Sequence, residues 1–89
     1  MKYEIFYTDK ARKFLKKLDK SALMNIKNWI EKNLLNTENP RLHGKALVGD
    51  KSGYWRYRVG DYRIIAEIKD DKLIVLVVDI DHRSKIYNK

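Results

Sequence analysis

Four of the six arginines in this 89-residue chain, Arg56, Arg58, Arg63 and Arg83, lie in its C-terminal part, and the first three flank the dipeptide Gly60-Asp61. A guanidinium is permanently charged and presents its N–H donors as a rigid fork that matches phosphate oxygens. The chemistry such a set suits is holding a phosphodiester and stabilising negative charge that develops on phosphorus. His82 is the nearby side chain that ordinarily titrates near neutrality, which makes it the candidate general acid or base. Its neighbour Asp81 is an alternative, either orienting His82 or serving as the base. Tyr87 suits stacking on a base or bonding a phosphate, and Arg83 suits neutralising the leaving side.

Other chemistries are poorly supplied. With two histidines, His43 and His82, and no cysteine, the chain has no ligand set at the usual metal spacings. No metal or other cofactor is expected. It has no glycine loop of the phosphate-cradling type and no nucleophile elbow. Twenty Lys and Arg against twelve Asp and Glu give a formal charge of +8. That balance points to a polyanionic partner, with solubility alone as the competing reading. The longest apolar run, Leu73 to Val78, is far too short to span a bilayer, and residues Met1 to Ile5 show no apolar signal region. Lack of cysteine fits a reducing compartment. A cytoplasmic protein forming one domain over residues 1–89 is the expectation.

The elements that must position these groups are legible from periodicity. Lys2 to Tyr7 alternates and reads as a strand. Thr8 is suited to cap a helix carrying Ala11, Phe14, Leu15 and Leu18 at helical spacing. Asp19 or Ser21 caps a second helix with the stripe Leu23, Ile26, Trp29, Ile30 and Leu34. Asn39-Pro40 cannot continue it, and residues 41–52 read as irregular. Strands follow at Tyr54 to Val59, Tyr62 to Ile68 and, after a turn at Asp70-Asp71, Leu73 to Ile80. Leu73 to Val78 is apolar on both faces, as in a central strand. The fold class is α+β in the order β-α-α-β-β-β, two helices packed on one face of a mostly antiparallel sheet.

If Gly60-Asp61 is a two-residue turn, Val59 pairs with Tyr62, Arg58 with Arg63 and Tyr57 with Ile64. Alternation then sends Trp55, Tyr57, Val59, Tyr62, Ile64, Ala66 and Ile68 to the helices, and Tyr54, Arg56, Arg58 and Arg63 to the other face. Like charges facing one another destabilise a sheet, so either Glu67 or a bound phosphate should offset them. Parity with Val78 and Ile80 puts His82 on the Arg63 face. The helical lysines Lys10, Lys13, Lys16, Lys17 and Lys20 are a candidate RNA contact or an ordinary solvated face. Lys45 and Lys51 in the irregular segment join the candidate RNA-binding set.

The string Gly44-x-x-Leu47-x-Gly49, then Gly53-Tyr54-Trp55-Arg56-Tyr57-Arg58-Val59-Gly60-Asp61-Tyr62-Arg63, then His82-Arg83-x-x-Ile86-Tyr87, resembles the RelE/ParE toxin superfamily, with the RelE branch the closer match. The resemblance covers nearly the whole chain and is densest from Arg41 to Tyr87. It implies a RelE-like, microbial-ribonuclease-like fold and a toxin of a type II toxin–antitoxin system, neutralised by a cognate RelB-like antitoxin. RelE-like toxins cut messenger RNA in the ribosomal A site without a metal. The 2′-hydroxyl attacks the adjacent phosphate and leaves a cyclic phosphate and a 5′-hydroxyl. ParE-like relatives instead poison DNA gyrase. A third possibility is a catalytically silent co-repressor that meets operator DNA only within the toxin–antitoxin complex. The family's basic pair falls on Arg56 and Arg58, its next arginine on Arg63, its C-terminal arginine on Arg83 and its tyrosine on Tyr87. The best-known RelE toxin has lysines at the first two positions and an arginine where this chain has Asp81. Arginine is no general base, so that role stays open.

Overall fold

A computed structural model describes residues 2–82. Strand β1 (Glu4–Tyr7) leads into helix α1 (Asp9–Lys16) through Thr8. Thr8 holds extended backbone while its hydroxyl accepts from Ala11 N–H at 3.2 Å, which satisfies one of the donors orphaned at a helix start. Asp9 in the first turn and Lys13 and Lys16 in the last complement the helix dipole. Asp19, not Ser21, caps helix α2 (Lys20–Asn33), accepting from Ala22 N–H at 2.8 Å. The two helices bury Ala11, Ile26 and Ile30 against the sheet.

The sheet has five strands in the order β1-β5-β4-β3-β2, with β2 (Lys45–Ala46), β3 (Tyr54–Val59), β4 (Tyr62–Lys69) and β5 (Ile74–His82). Strand β1 runs parallel to β5 and all other pairs are antiparallel. The expected hairpin is present: Gly60 takes φ 57° at the first central position, where an L side chain would be strained. Three features differ from the sequence reading. The supposedly irregular segment contains β2, too short to show any period. Strand β5 begins at Ile74 because Leu73 sits at φ 55° in a four-residue turn. It also runs on to His82 and carries a bulge. Ile65 pairs with Asp79 but Ala66 pairs with Val77, so Val78 has no partner across the ladder.

The bulge is tied to the start of α1. Thr8 N–H donates to the Val77 carbonyl at 3.0 Å, and the Thr8 hydroxyl donates to the Val78 carbonyl at 3.0 Å. One residue therefore caps a helix and satisfies the backbone that the bulge takes out of the ladder. Lys10 reaches Asp79, the next residue, at 3.2 Å.

Tyr57 anchors the segment between α2 and β3. Its ring is fully buried, 5.7 Å from the Trp29 ring centroid, and its hydroxyl donates to the Pro40 carbonyl at 2.6 Å. Gly44 lies against that ring so closely that a Cβ there would stand 2.8 Å from Tyr57 Cε1. Burial pushes the Tyr57 phenol up to about 12.

Two measurements check these links. Thr8→Val keeps the shape and removes the hydroxyl, and it should lower the unfolding free energy by about 1–2 kcal/mol in urea titration; an unchanged midpoint would refute the double role. For Tyr57 the folded state keeps the proton longer than the unfolded chain. Its contribution is complete below about pH 10 and is lost as pH rises to about 12. Tyr57→Phe should cost about 1 kcal/mol at neutral pH and remove roughly 2–3 kcal/mol of the alkaline decline. An unaltered decline contradicts the assignment.

Candidate nucleic-acid interface

The face of the sheet turned away from the helices is organised in rungs. Arg58 stands opposite Arg63, as the sequence predicts, and Arg63 stands opposite Asp81 on β5. On the neighbouring rung Lys45 of β2 stands opposite Arg56, which pairs with Ile65. Partners across a ladder share a face, so β2, β3 and β4 bring Lys45, Arg56, Arg58 and Arg63 together on adjacent rungs. Arg58 is exposed, while Arg56 and Arg63 are half-buried. The sequence named Lys45 as an RNA contact but gave no reason for it to join the arginines. That reason is β2, which adds an edge strand beside Arg56.

Glu67 does not offset this cluster. It lies one rung beyond Lys45 and Arg56, opposite Tyr54, and bonds Lys69 at 3.4 Å. Asp81 is the carboxylate in register with an arginine.

The expectation for His82 is corrected. The unpaired Val78 shifts the alternation of β5 by one residue. Ile80 consequently pairs with Ile64 in the core, and His82 pairs with Tyr62. The two rings meet edge to face at 5.0 Å, and Tyr62 in turn meets Phe14 of α1 at 6.1 Å. His82 thus stands on the helix side of the hairpin, and Asp81 has the register with Arg63 that parity had given to His82. Arg83 and Tyr87 lie outside the described residues.

The helical lysines form a separate group. Lys13, Lys16 and Lys20 are exposed on the helical layer, across the sheet from the arginines. Lys17, the C-cap of α1, borders a cleft beside the Gly60-Asp61 turn. Lys10 bonds Asp79. Lys51 ends the short 3-10 turn Gly49–Lys51.

Arg41 also stands apart. Its guanidinium grips Asp70 through two bonds of 3.1 and 2.7 Å and lies 5.5 Å from the Trp55 ring centroid. Tyr3 donates to the same carboxylate at 2.6 Å. The Arg41 and Tyr3 bonds hold the Asp70 carboxyl below the usual range, and the same carboxylate pushes the Tyr3 phenol up. This clasp joins the segment after α2 to the β4–β5 turn. Arg41 is committed to structure.

The arrangement can grip an extended polyanion across β2, β3 and β4 with fixed donors, and β5 sets Asp81 and Asp79 at the margin of those donors. Comparison with known proteins agrees with the fold. Residues 5–87 match the model of a family described as ParE toxin of type II toxin–antitoxin system. Toxin RelG of Mycobacterium tuberculosis is 30% identical over the whole of both chains. A RelE-like toxin protein of Escherichia coli is 29% identical, covering 99% of this chain and 93% of that one. Among solved structures, the RelBE2 toxin–antitoxin complex from M. tuberculosis superposes with a TM-score of 0.84 at 28% identity, covering 94% of each chain. The isolated E. coli RelE toxin superposes with a TM-score of 0.73 at 24% identity, covering 96% of this chain and 90% of that one.

Proposed function

Because the chain belongs to the ParE toxin family of type II toxin–antitoxin systems, we propose that it arrests translation as an endoribonuclease, cutting messenger RNA in the ribosomal A site. The observation that carries this reading is the cluster of Lys45, Arg56, Arg58 and Arg63 on adjacent rungs of one sheet face. Opposed arginines cost the free protein stability, and a phosphodiester relieves that cost by accepting from both.

In this mechanism the RNA supplies its own nucleophile. The 2′-hydroxyl attacks the adjacent phosphorus, and the 5′-oxygen of the next nucleotide departs, taking a proton from solvent to become a 5′-hydroxyl and leaving a cyclic phosphate. Arg56, Arg58 and Arg63 stabilise the charge on the phosphoryl oxygens as they approach the transition state. These donors never deprotonate, so they cannot take the 2′-hydroxyl proton. Asp81, opposite Arg63, takes the role of base that the sequence first suggested for His82. Arg83 and Tyr87, the positions on which the family's C-terminal arginine and tyrosine fall, neutralise the leaving oxygen and stack on a base or bond the phosphate, respectively. With the nucleophile in the substrate and guanidinium groups to bear the charge, the step proceeds without a metal.

The solved neighbours include RelB–RelE complexes from archaea and bacteria, which supports a cognate RelB-like antitoxin as partner. The target implies action in the cytoplasm on ribosomes, with operator DNA met only through the antitoxin complex. The described residues contain no helix long and apolar enough to cross a membrane. A gyrase-poisoning activity is the second reading, favoured by the ParE description of the matching family.

Primer extension after brief induction separates them. Wild-type protein should leave new RNA ends within translated codons. Arg63→Ala and Asp81→Asn should each reduce them about 100-fold or more, and His82→Gln should retain cleavage within about 3-fold, since the histidine is off the rung. Growth arrest with induced DNA damage and no new RNA ends would transfer the proposal to gyrase. Loss in His82→Gln equal to that in Arg63→Ala would return the base to His82.

A further inference from the structure

The arginine rungs bind backbone and carry no means of telling one base from another. On the other side of the same hairpin lies a cleft of about 710 Å³ between the α1–α2 turn and the β3–β4 turn. That volume falls within the roughly 300–1,000 Å³ typical of small-ligand sites. Its floor is apolar, with Ile26 and Val59 both buried. One wall is the half-buried ring of Tyr62, fixed edge to face between Phe14 and His82. The rim carries the exposed polar groups of Lys17, Asn25 and Asp61.

We infer that this cleft binds an unstacked nucleobase of the RNA strand whose phosphates lie on Arg58 and Arg63, an inference that rests on the ribonuclease reading. The Val59–Tyr62 pair directly follows Arg58–Arg63 at the turn end of the hairpin and faces the opposite side, about 3.4 Å along each strand. Gly60 and Asp61, the turn itself, line the cleft, so a single strand rounding the turn can leave phosphate on one face and deliver a base to the other. Single-stranded RNA is read by splaying bases onto aromatic rings and bonding their Watson–Crick edges. Tyr62 supplies a ring held in place by its neighbours. Asn25 offers both a donor and an acceptor, and the Asp61 carboxylate accepts from amino groups. Lys17 adds charge for the flanking phosphate. The carboxylate accepts from the exocyclic amino groups of guanine, adenine and cytosine, whereas uracil offers it only the ring N3–H, so the rim favours the amino-bearing bases.

The test uses the purified full chain and fluorescein-labelled 2′-O-methyl hexanucleotides, which cannot be cut, with binding read by anisotropy. Wild-type protein should bind a mixed-sequence hexamer at least about 5-fold tighter than hexauridylate. Ala22→Trp fills the cleft from the first turn of α2, and it should weaken the mixed hexamer about 10-fold and erase the difference between the two. Asn25→Leu, at an exposed helical position, should narrow the difference without altering the fold seen by circular dichroism, which keeps the inference testable if the tryptophan variant unfolds. Arg63→Ala should weaken both oligonucleotides alike. Wild-type discrimination retained in Ala22→Trp and Asn25→Leu would overturn the inference, as would equal wild-type binding of the two hexamers. Failure of the ribonuclease reading has a different signature, absence of new RNA ends in cells, and is scored independently of oligonucleotide binding.

Discussion

The unpaired residue Val78 governs this structure. A strand shows its side chains alternately to two faces, and one inserted residue exchanges the faces for everything beyond it. Before the bulge, Val75 and Val77 point into the core; after it, Ile80 does. Without the insertion Ile80 would face away from the helices and His82 would stand with Arg63. Such a kink leaves backbone groups outside the ladder, and those groups need partners. Thr8 provides them, which couples the entry of α1, the centre of the sheet and the composition of the cationic face through a single side chain.

A second constraint fixes the opposite edge. Strand β2 has two residues and cannot persist through its own pairing. It is held because Tyr57, buried in the core, grips Pro40 and leaves room only for glycine at position 44, while Arg41, Asp70 and Tyr3 clasp the same segment to the far turn. Lys45 stands opposite Arg56 only because these contacts hold its backbone there. The repulsion among four cations is therefore borne by covalent neighbours with firm anchorage elsewhere. A face of like charge survives where the backbone carrying it is fixed by other contacts.

Much of this was readable from the sequence wherever local periodicity and tertiary structure agree. The cap at Thr8, a second cap at Asp19 or Ser21, the stripe of α2 and the Gly60-Asp61 turn are local features. Because a two-residue turn fixes register, the opposition of Arg58 and Arg63 follows from it. The bulge was not readable, since Val77-Val78 in an all-apolar run carries no alternation for an insertion to interrupt. Strand β2 escaped for the same kind of reason, as two residues define no period. The commitment of Arg41 to Asp70 spans 29 residues, and no local pattern distinguishes a structural arginine from one awaiting phosphate. The placement of His82 failed because parity was carried through the bulge.

The presence of arginine where lysine would also bind phosphate has a consequence for the whole face. A lysine in a cationic cluster can lose its proton and act as a base, so binding and proton transfer can reside in one side chain. Arginine keeps the charge and forfeits the proton transfer. In the proposed cleavage, a face built from Arg56, Arg58 and Arg63 holds the phosphate rigidly and takes its base from another residue on the same face. On the same face Lys45 stands opposite Arg56, Asp79 stands opposite Ile65 and bonds Lys10, and Glu67 bonds Lys69. Register sets Asp81 opposite Arg63, where a carboxylate both eases the repulsion of the free protein and stands beside the donors that would hold the phosphate. The shift of one residue at Val78 is what puts a carboxylate rather than an imidazole there, so the choice of arginine on β3 and the bulge on β5 are two halves of one arrangement.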